Sequence, residues 1–132
     1  MKNELQNSAK ALTMGRIIIY TKKMPAMIEF YTRHFDYEQY QNSNDRIVEL
    51  CPKSTGVSIL LHPASKGQKE GQALVKLVFD IERVEKFHAD AEEKGLKFGP
   101  VHKANGYVFA NAKDPSGNSI SISSRAFSSQ IP

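Results

Sequence analysis

Residues 114–123 read Asp114-Pro115-Ser116-Gly117-Asn118-Ser119-Ile120-Ser121-Ile122-Ser123, a turn that runs directly into a strand. Asp and Asn fold their side chains back on the local backbone, Pro presets φ, and Gly takes a positive φ cheaply. Asp114 to Asn118 is therefore a strong turn, with Asp114 placed to cap it and Gly117 to carry the left-handed residue. The next five residues alternate Ser and Ile. That period of two predicts a strand with two isoleucines on one face and three hydroxyls on the other.

Working outward, Tyr107 to Ala112 reads as the strand entering this turn, and Leu96 to Phe98 as a shorter one. Upstream, Ala73 to Asp80 reads as a strand. Val84, Phe87, His88 and Ala91 mark the inner stripe of a helix over Arg83 to Lys94, stopped by Gly95. The same order occurs in the first half. The β-branched run Ile17-Ile18-Ile19 predicts a strand over Gly15 to Tyr20, with Ile17 and Ile19 on one face and Arg16, Ile18 and Tyr20 on the other. Pro25 suits a first helical turn, and Met24, Met27, Ile28, Tyr31 and Phe35 recur at helical spacing over Pro25 to His34. Strands follow at Tyr37 to Gln41, Arg46 to Cys51 and Val57 to His62. Pro63 to Gly71 reads as a polar connection.

The pattern is strand, helix, three strands, then the same again. It predicts an α+β chain of two βαβββ units within one domain over residues 1–132, the first unit over 13–62 and the second over 72–125. No glycine-rich phosphate loop follows either opening strand, which argues against a nucleotide-binding Rossmann unit.

Composition narrows the function classes. The chain has 132 residues and about 40% apolar side chains, enough for one packed core. Its 18 Lys plus Arg against 14 Asp plus Glu give a net charge of +4. The basic residues are interleaved with acids, as in Glu82-Arg83-Val84-Glu85-Lys86, so no stripe for nucleic acid emerges. No apolar run approaches membrane-spanning length. Met1 to Leu12 lacks the apolar stretch of a secretory signal and reads as a polar N-terminal arm. The single Cys51 cannot form an internal disulfide, which fits a cytoplasmic setting.

Two motifs carry a family resemblance. "MIEFYTRHFDYE" from Met27 is similar to a helix ending in Phe-Tyr, followed by a short spacer and Leu-Gly-Phe; here Asp36 stands where Gly is usual. "DPSGNSISIS" from Asp114 is similar to D-P-D-G-N-x-I-E-L, and "LVFDIERVEKFHADAEEKG" fits the second opening strand and helix. The chain resembles the glyoxalase, bleomycin-resistance and extradiol-dioxygenase (vicinal oxygen chelate) superfamily over about Thr13 to Arg125. The resemblance implies two βαβββ modules forming a curved, cup-shaped mixed sheet that often holds a divalent metal on four side chains. Carried onto this sequence, those positions fall on Arg16, Ile59 (within a register error of two residues), Lys76 and Ser121. None is a His or a carboxylate, and two are cations at neutral pH, so a conventional metal site is not expected. No cofactor is expected either.

The expected ligand-binding residues are Arg16, Tyr20, Lys76, Tyr107 and Ser121. Arg16 and Lys76 suit recognition of an anion, or else ion pairs with Glu49, Asp80 or another carboxylate. Ser121, with Ser119 and Ser123, offers hydroxyls to a ligand, or lines a solvated face or a dimer seam. Tyr20, Tyr107 and Phe109 are aromatic walls or core. His62 and His102 sit at strand ends or loops, and Cys51 beside Pro52 has no redox partner. The function implied is metal-independent binding of a small anionic molecule by a homodimer. The alternatives are a lyase, isomerase or dioxygenase-type enzyme, or a structural dimer without ligand.

Overall fold

A computed structural model describes residues 11–128; most of the expected N-terminal arm lies outside them. Strand β1 (Arg16–Thr21), helix α1 (Met24–His34), β2 (Tyr37–Tyr40), β3 (Val48–Pro52) and β4 (Ser58–Pro63) form the first unit. The second comprises β5 (Lys76–Asp80), α2 (Val84–Glu93), β6 (His102–Lys103), β7 (Val108–Lys113) and β8 (Ser119–Ser123). A 3₁₀ turn over Arg125–Phe127 follows.

The strands make two separate four-stranded sheets, ordered β1-β4-β3-β2 and β5-β8-β7-β6. In each, the opening strand pairs parallel to the closing strand, and the others pair antiparallel. This corrects the expectation of one curved, cup-shaped sheet. No ladder joins β1 to β5, and each sheet stays open with free edge strands. The physical reason lies between the units: a cavity separates the Ile17 to Tyr20 edge from Val75 and Leu77, and residues 69–73 line it. The backbones therefore do not come within ladder distance there.

Each sheet packs one face into the core with a helix. Ile19, Ile59, Leu61, Val48 and Leu50 join Met27, Phe30 and Tyr31 of α1 in the core; Ile120, Ile122 and Ala110 join Val84 and Ala91 of α2. The Ser-Ile alternation thus sends both isoleucines inward. Phe35 stacks on Phe79 with centroids 3.9 Å apart, and Tyr31 also reaches Phe79. These rings weld the first helix to the second sheet.

Leu96 to Phe98 is not a strand. Leu96 and Phe98 are buried all the same, and the stretch is bridged to β7 by Gly99 N–H donating to the Asn111 carbonyl at 2.8 Å. Pro100, which has no N–H, follows immediately. Asp36 occupies the position expected of Gly, with φ of 56°, a conformation Asp tolerates better than most residues.

Two buried groups set expected stability effects. Tyr31 Oη donates to Asp114 Oδ2 at 2.7 Å, deep in the core. Burial, then the neighbouring Asp114 carboxylate, pushes the Tyr31 hydroxyl far up, so it stays a proton donor. Tyr31→Phe should therefore cost about 1.5–3 kcal/mol in urea unfolding, the range for a hydrogen bond to a charged group, with m unchanged. A midpoint equal to wild type would show the bond contributes nothing.

His34 Nδ1 is buried without a hydrogen-bond partner, and desolvation, then Arg33 and Lys94, lower the ring below its ordinary 6.5 despite Glu29. The unfolded chain then binds more protons than the folded one just below 6.5, so stability falls as pH drops through that value. His34→Gln should flatten this part of the stability–pH curve. An identical curve for the variant would rule out His34 as its source.

Candidate functional site

The faces of the two sheets turned away from the helices carry the polar and charged strand residues. Register settles which they are. On the first sheet, Arg16 lies opposite Ser58, Ile18 opposite Leu60 and Tyr20 opposite His62, with Glu49 next to Leu60. Ile59, carried over as a metal-ligand position, instead lies beside Ile17 and is 2% exposed in the core. The residues of β4 on the open face are Ser58, Leu60 and His62. On the second sheet, Lys76, Ser119 and Lys113 form one row, and Val78, Ser121 and Asn111 the next.

The five expected ligand-binding residues divide between the two units. Arg16 is exposed and its Nε donates to Glu49 Oε2 at 3.3 Å, the ion pair that competes with anion recognition. Such an exposed pair contributes at most about 1 kcal/mol. Tyr20 is half exposed and packs on the His62 ring, centroids 5.1 Å apart; His62 Nδ1 lies 2.9 Å from the Pro63 carbonyl. Lys76 is exposed and donates to Asn111 Oδ1 at 3.0 Å. Ser121 is buried and donates to the Ala110 carbonyl at 3.1 Å. Tyr107 precedes β7, lies 6.3 Å from Phe109 between centroids, and accepts from Arg125 Nη1 at 3.0 Å.

The connection between the units is held to the turn at 114–118. Glu70 Oε1 accepts from Lys22 N–H (2.8 Å), Ser116 Oγ (2.7 Å) and Thr21 Oγ1 (3.2 Å). The Lys22 N–H chiefly, helped by both hydroxyls, holds the Glu70 carboxyl below the usual carboxylate range against its partial desolvation. Gly71 has φ of 72°, and a Cβ there would sit 3.0 Å from the Gly117 carbonyl oxygen. Only glycine fits that approach without strain. The segment reads from its residues as a polar connection, and nothing in them announces the long-range anchor at Glu70.

A divalent metal does not suit this donor set. Among the described residues, no three His, Cys, Asp or Glu side chains are grouped to hold one. The open-face positions carry Arg16, Leu60, Lys76 and Ser121, which offer two cations, a hydrocarbon and a hydroxyl already committed to a carbonyl.

Paired βαβββ units with open sheet faces define a class of α+β folds, and the sequence places the chain within it. Residues 13–122 match the Glyoxalase/Bleomycin resistance protein/Dioxygenase superfamily, and the chain belongs to that family. It does so without the family's grouped metal donors among the described residues. No curated protein sequence matches significantly. Solved structures share the fold at low identity. TnmS3, an antibiotic binding protein from Streptomyces sp. CB03234, matches with TM-score 0.71 and 16% identity over 86% of this chain and 95% of that one. A lactoylglutathione lyase from Agrobacterium tumefaciens matches with TM-score 0.67 and 17% identity over 89% and 96%. A superfamily member from Sphaerobacter thermophilus matches with TM-score 0.69 and 17% identity over 86% and 97%. Among the described residues, no helix is long and apolar enough to cross a membrane.

Elemental analysis of protein purified without chelator should find no stoichiometric Zn, Ni, Fe or Mn. About one metal per chain, lost on substitution at Lys76 or Ser121, would overturn this reading of the donor set.

Proposed function

We propose that this chain binds a small anionic molecule without a metal, as a homodimer in the cytoplasm, rather than nucleic acid or membrane. Arg16, Tyr20, Lys76, Tyr107 and Ser121 contribute to that binding. The observation that carries the reading is Lys76: a cation on an open sheet face, hydrogen-bonded to an amide and in no ion pair among the described residues. An anion can satisfy such a group at little reorganisation cost.

Dimerisation supplies what one chain lacks. Arg16 and Tyr20 sit on one sheet and the other three residues belong to the second unit. Ile18, Tyr20, Tyr40 and Val78 expose apolar surface on the open faces, at 46% to 60% of each residue. A two-fold dimer that sets the first sheet of one protomer against the second sheet of its partner covers this surface and joins the two residue groups. That fold relatives include both an antibiotic binding protein and a lyase leaves the choice between binding and turnover to the site, and among the described residues no paired acid and base is built around Lys76.

Native mass spectrometry of freshly purified protein, with denaturing extraction of what it carries, tests the reading. A co-purifying anion in stoichiometric amount is expected. Light scattering should give about 30 kDa, twice the chain mass of 14.8 kDa, across a tenfold dilution. A mass of one chain at every concentration overturns the dimer. A cationic or neutral molecule in the site overturns the ligand class.

A further inference from the structure

The second sheet carries a pair of lysines with no ion-pair partner among the described residues. Lys76 and Lys113 flank Ser119 in a single cross-strand row, on β5, β7 and the intervening β8. Two strand spacings separate their backbones, about 10 Å, within reach of two four-carbon stems. Lys113 Nζ donates to Ser119 Oγ at 2.9 Å and Lys76 Nζ to Asn111 Oδ1 at 3.0 Å. Neither lysine is in an ion pair among the described residues.

Their isolation is enforced by the fold. Asp114 follows Lys113 directly, but its carboxylate points into the core, where it accepts from Tyr31 Oη, Ser116 N–H and Asn118. Glu70, on the nearby connection, is held by Lys22 N–H, Ser116 and Thr21. Asp80 shares the face of Lys76 but stands four residues along β5, about 13 Å away. Two positive charges are left over a hydroxyl and an amide.

A cavity of about 510 Å³ opens at this row, lined by Lys76, Lys113 and Ser119 on one side and residues 71–75 on the other. Gln72 adds a side-chain amide, and Leu74 and Val75 put exposed apolar surface at the rim.

We propose that Lys76, Lys113 and Ser119, with Gln72, form a binding site for the phosphoryl group of a small organic phosphate monoester, whose organic part rests on Leu74 and Val75. This rests on the small-molecule-binding reading above and names its ligand class and a second cation, Lys113. A phosphate monoester dianion matches the two ammonium charges. Its tetrahedral oxygens accept donors arriving from separate directions, which two flexible lysines and a hydroxyl supply. A planar carboxylate is better matched by the fork of an arginine, and among the described residues no arginine of the same protomer lines the cavity.

The test titrates ¹⁵N-labelled full-length protein with phenyl phosphate, and with benzoate as the planar monoanion. Phenyl phosphate should give saturable shifts centred on Gly71 to Lys76, Lys113 and Ser119, weakening as salt rises. Lys113→Met and Lys76→Met should each weaken it roughly tenfold or more, the effect of removing one charged hydrogen bond. Lys113→Gln repeats the test with a polar stem, and Lys86→Met, on α2, should leave binding unchanged. Benzoate binding as tightly, full affinity in both Lys113 variants, or shifts centred elsewhere would each overturn the site. A co-purifying anion that binds in spite of such a result would leave the broader binding reading standing while this site fails. Absence of any co-purifying anion together with specific phenyl phosphate binding here would keep this site and overturn only the expectation that the purified protein carries its ligand.

Discussion

The buried Asp114 carboxylate is the fixed point from which both units are hung. One oxygen receives the Tyr31 hydroxyl from the first helix and the Asn118 amide; the other receives the Ser116 and Asn118 backbone N–H groups of its own turn. A buried charge with fewer partners would be costly, so all these donors must be in place together. Satisfying them fixes the turn ahead of β8, and the turn in turn presents Ser116 to Thr21 at 2.7 Å and to Glu70. Glu70 then anchors the connection between the units. One carboxylate thus couples a helix, a hairpin turn and a linking segment that are far apart in sequence.

This coupling explains why the units lie beside one another without merging. Tyr31, Phe35 and Phe79 close the core on the helix side, while Glu70 and Gly71 hold the connection against the turn on the other. The segment so anchored lines the cavity between β1 and β5. Both sheets consequently keep an open edge and an open face.

Much of this was legible in the residues because it rests on local chemistry. Three consecutive β-branched side chains made β1, the Ser-Ile alternation made β8 with its isoleucines inward, and Pro25 opened α1 within a residue of the place expected. What failed depended on distant partners. The register of β4 turns on which residue lies beside Arg16, and Ser58 rather than Val57 does so, which sends Ile59 to the core. Leu96 and Phe98 are apolar for the sake of α2 and β7 rather than for a ladder of their own. The cup-shaped sheet failed for the same reason, since closure is decided by a connection whose anchor, Glu70, is one acid among several in a polar stretch. At the site, the expected residues were placed on the strands or strand ends anticipated, but the Glu49 partner of Arg16 was one of two readings that sequence left open. Lys113 carried no separate signal, because it looks like a charged residue preceding a turn.

The motif that identifies the family is therefore a poor guide to chemistry. The polar groups of Asp114 to Asn118 are spent on closing the turn and on tying it to Tyr31, Thr21 and Glu70. The strand residues that do not pack against the helices are the alternate ones. On β8 those are Ser119, Ser121 and Ser123, and the last two are already buried. Ser119 is only half-buried, and the ammonium groups beside it are the charges the core does not neutralise. In a fold whose one buried acid among the described residues, Asp114, is spent on architecture, the cations left without a carboxylate are where an outside anion gains most.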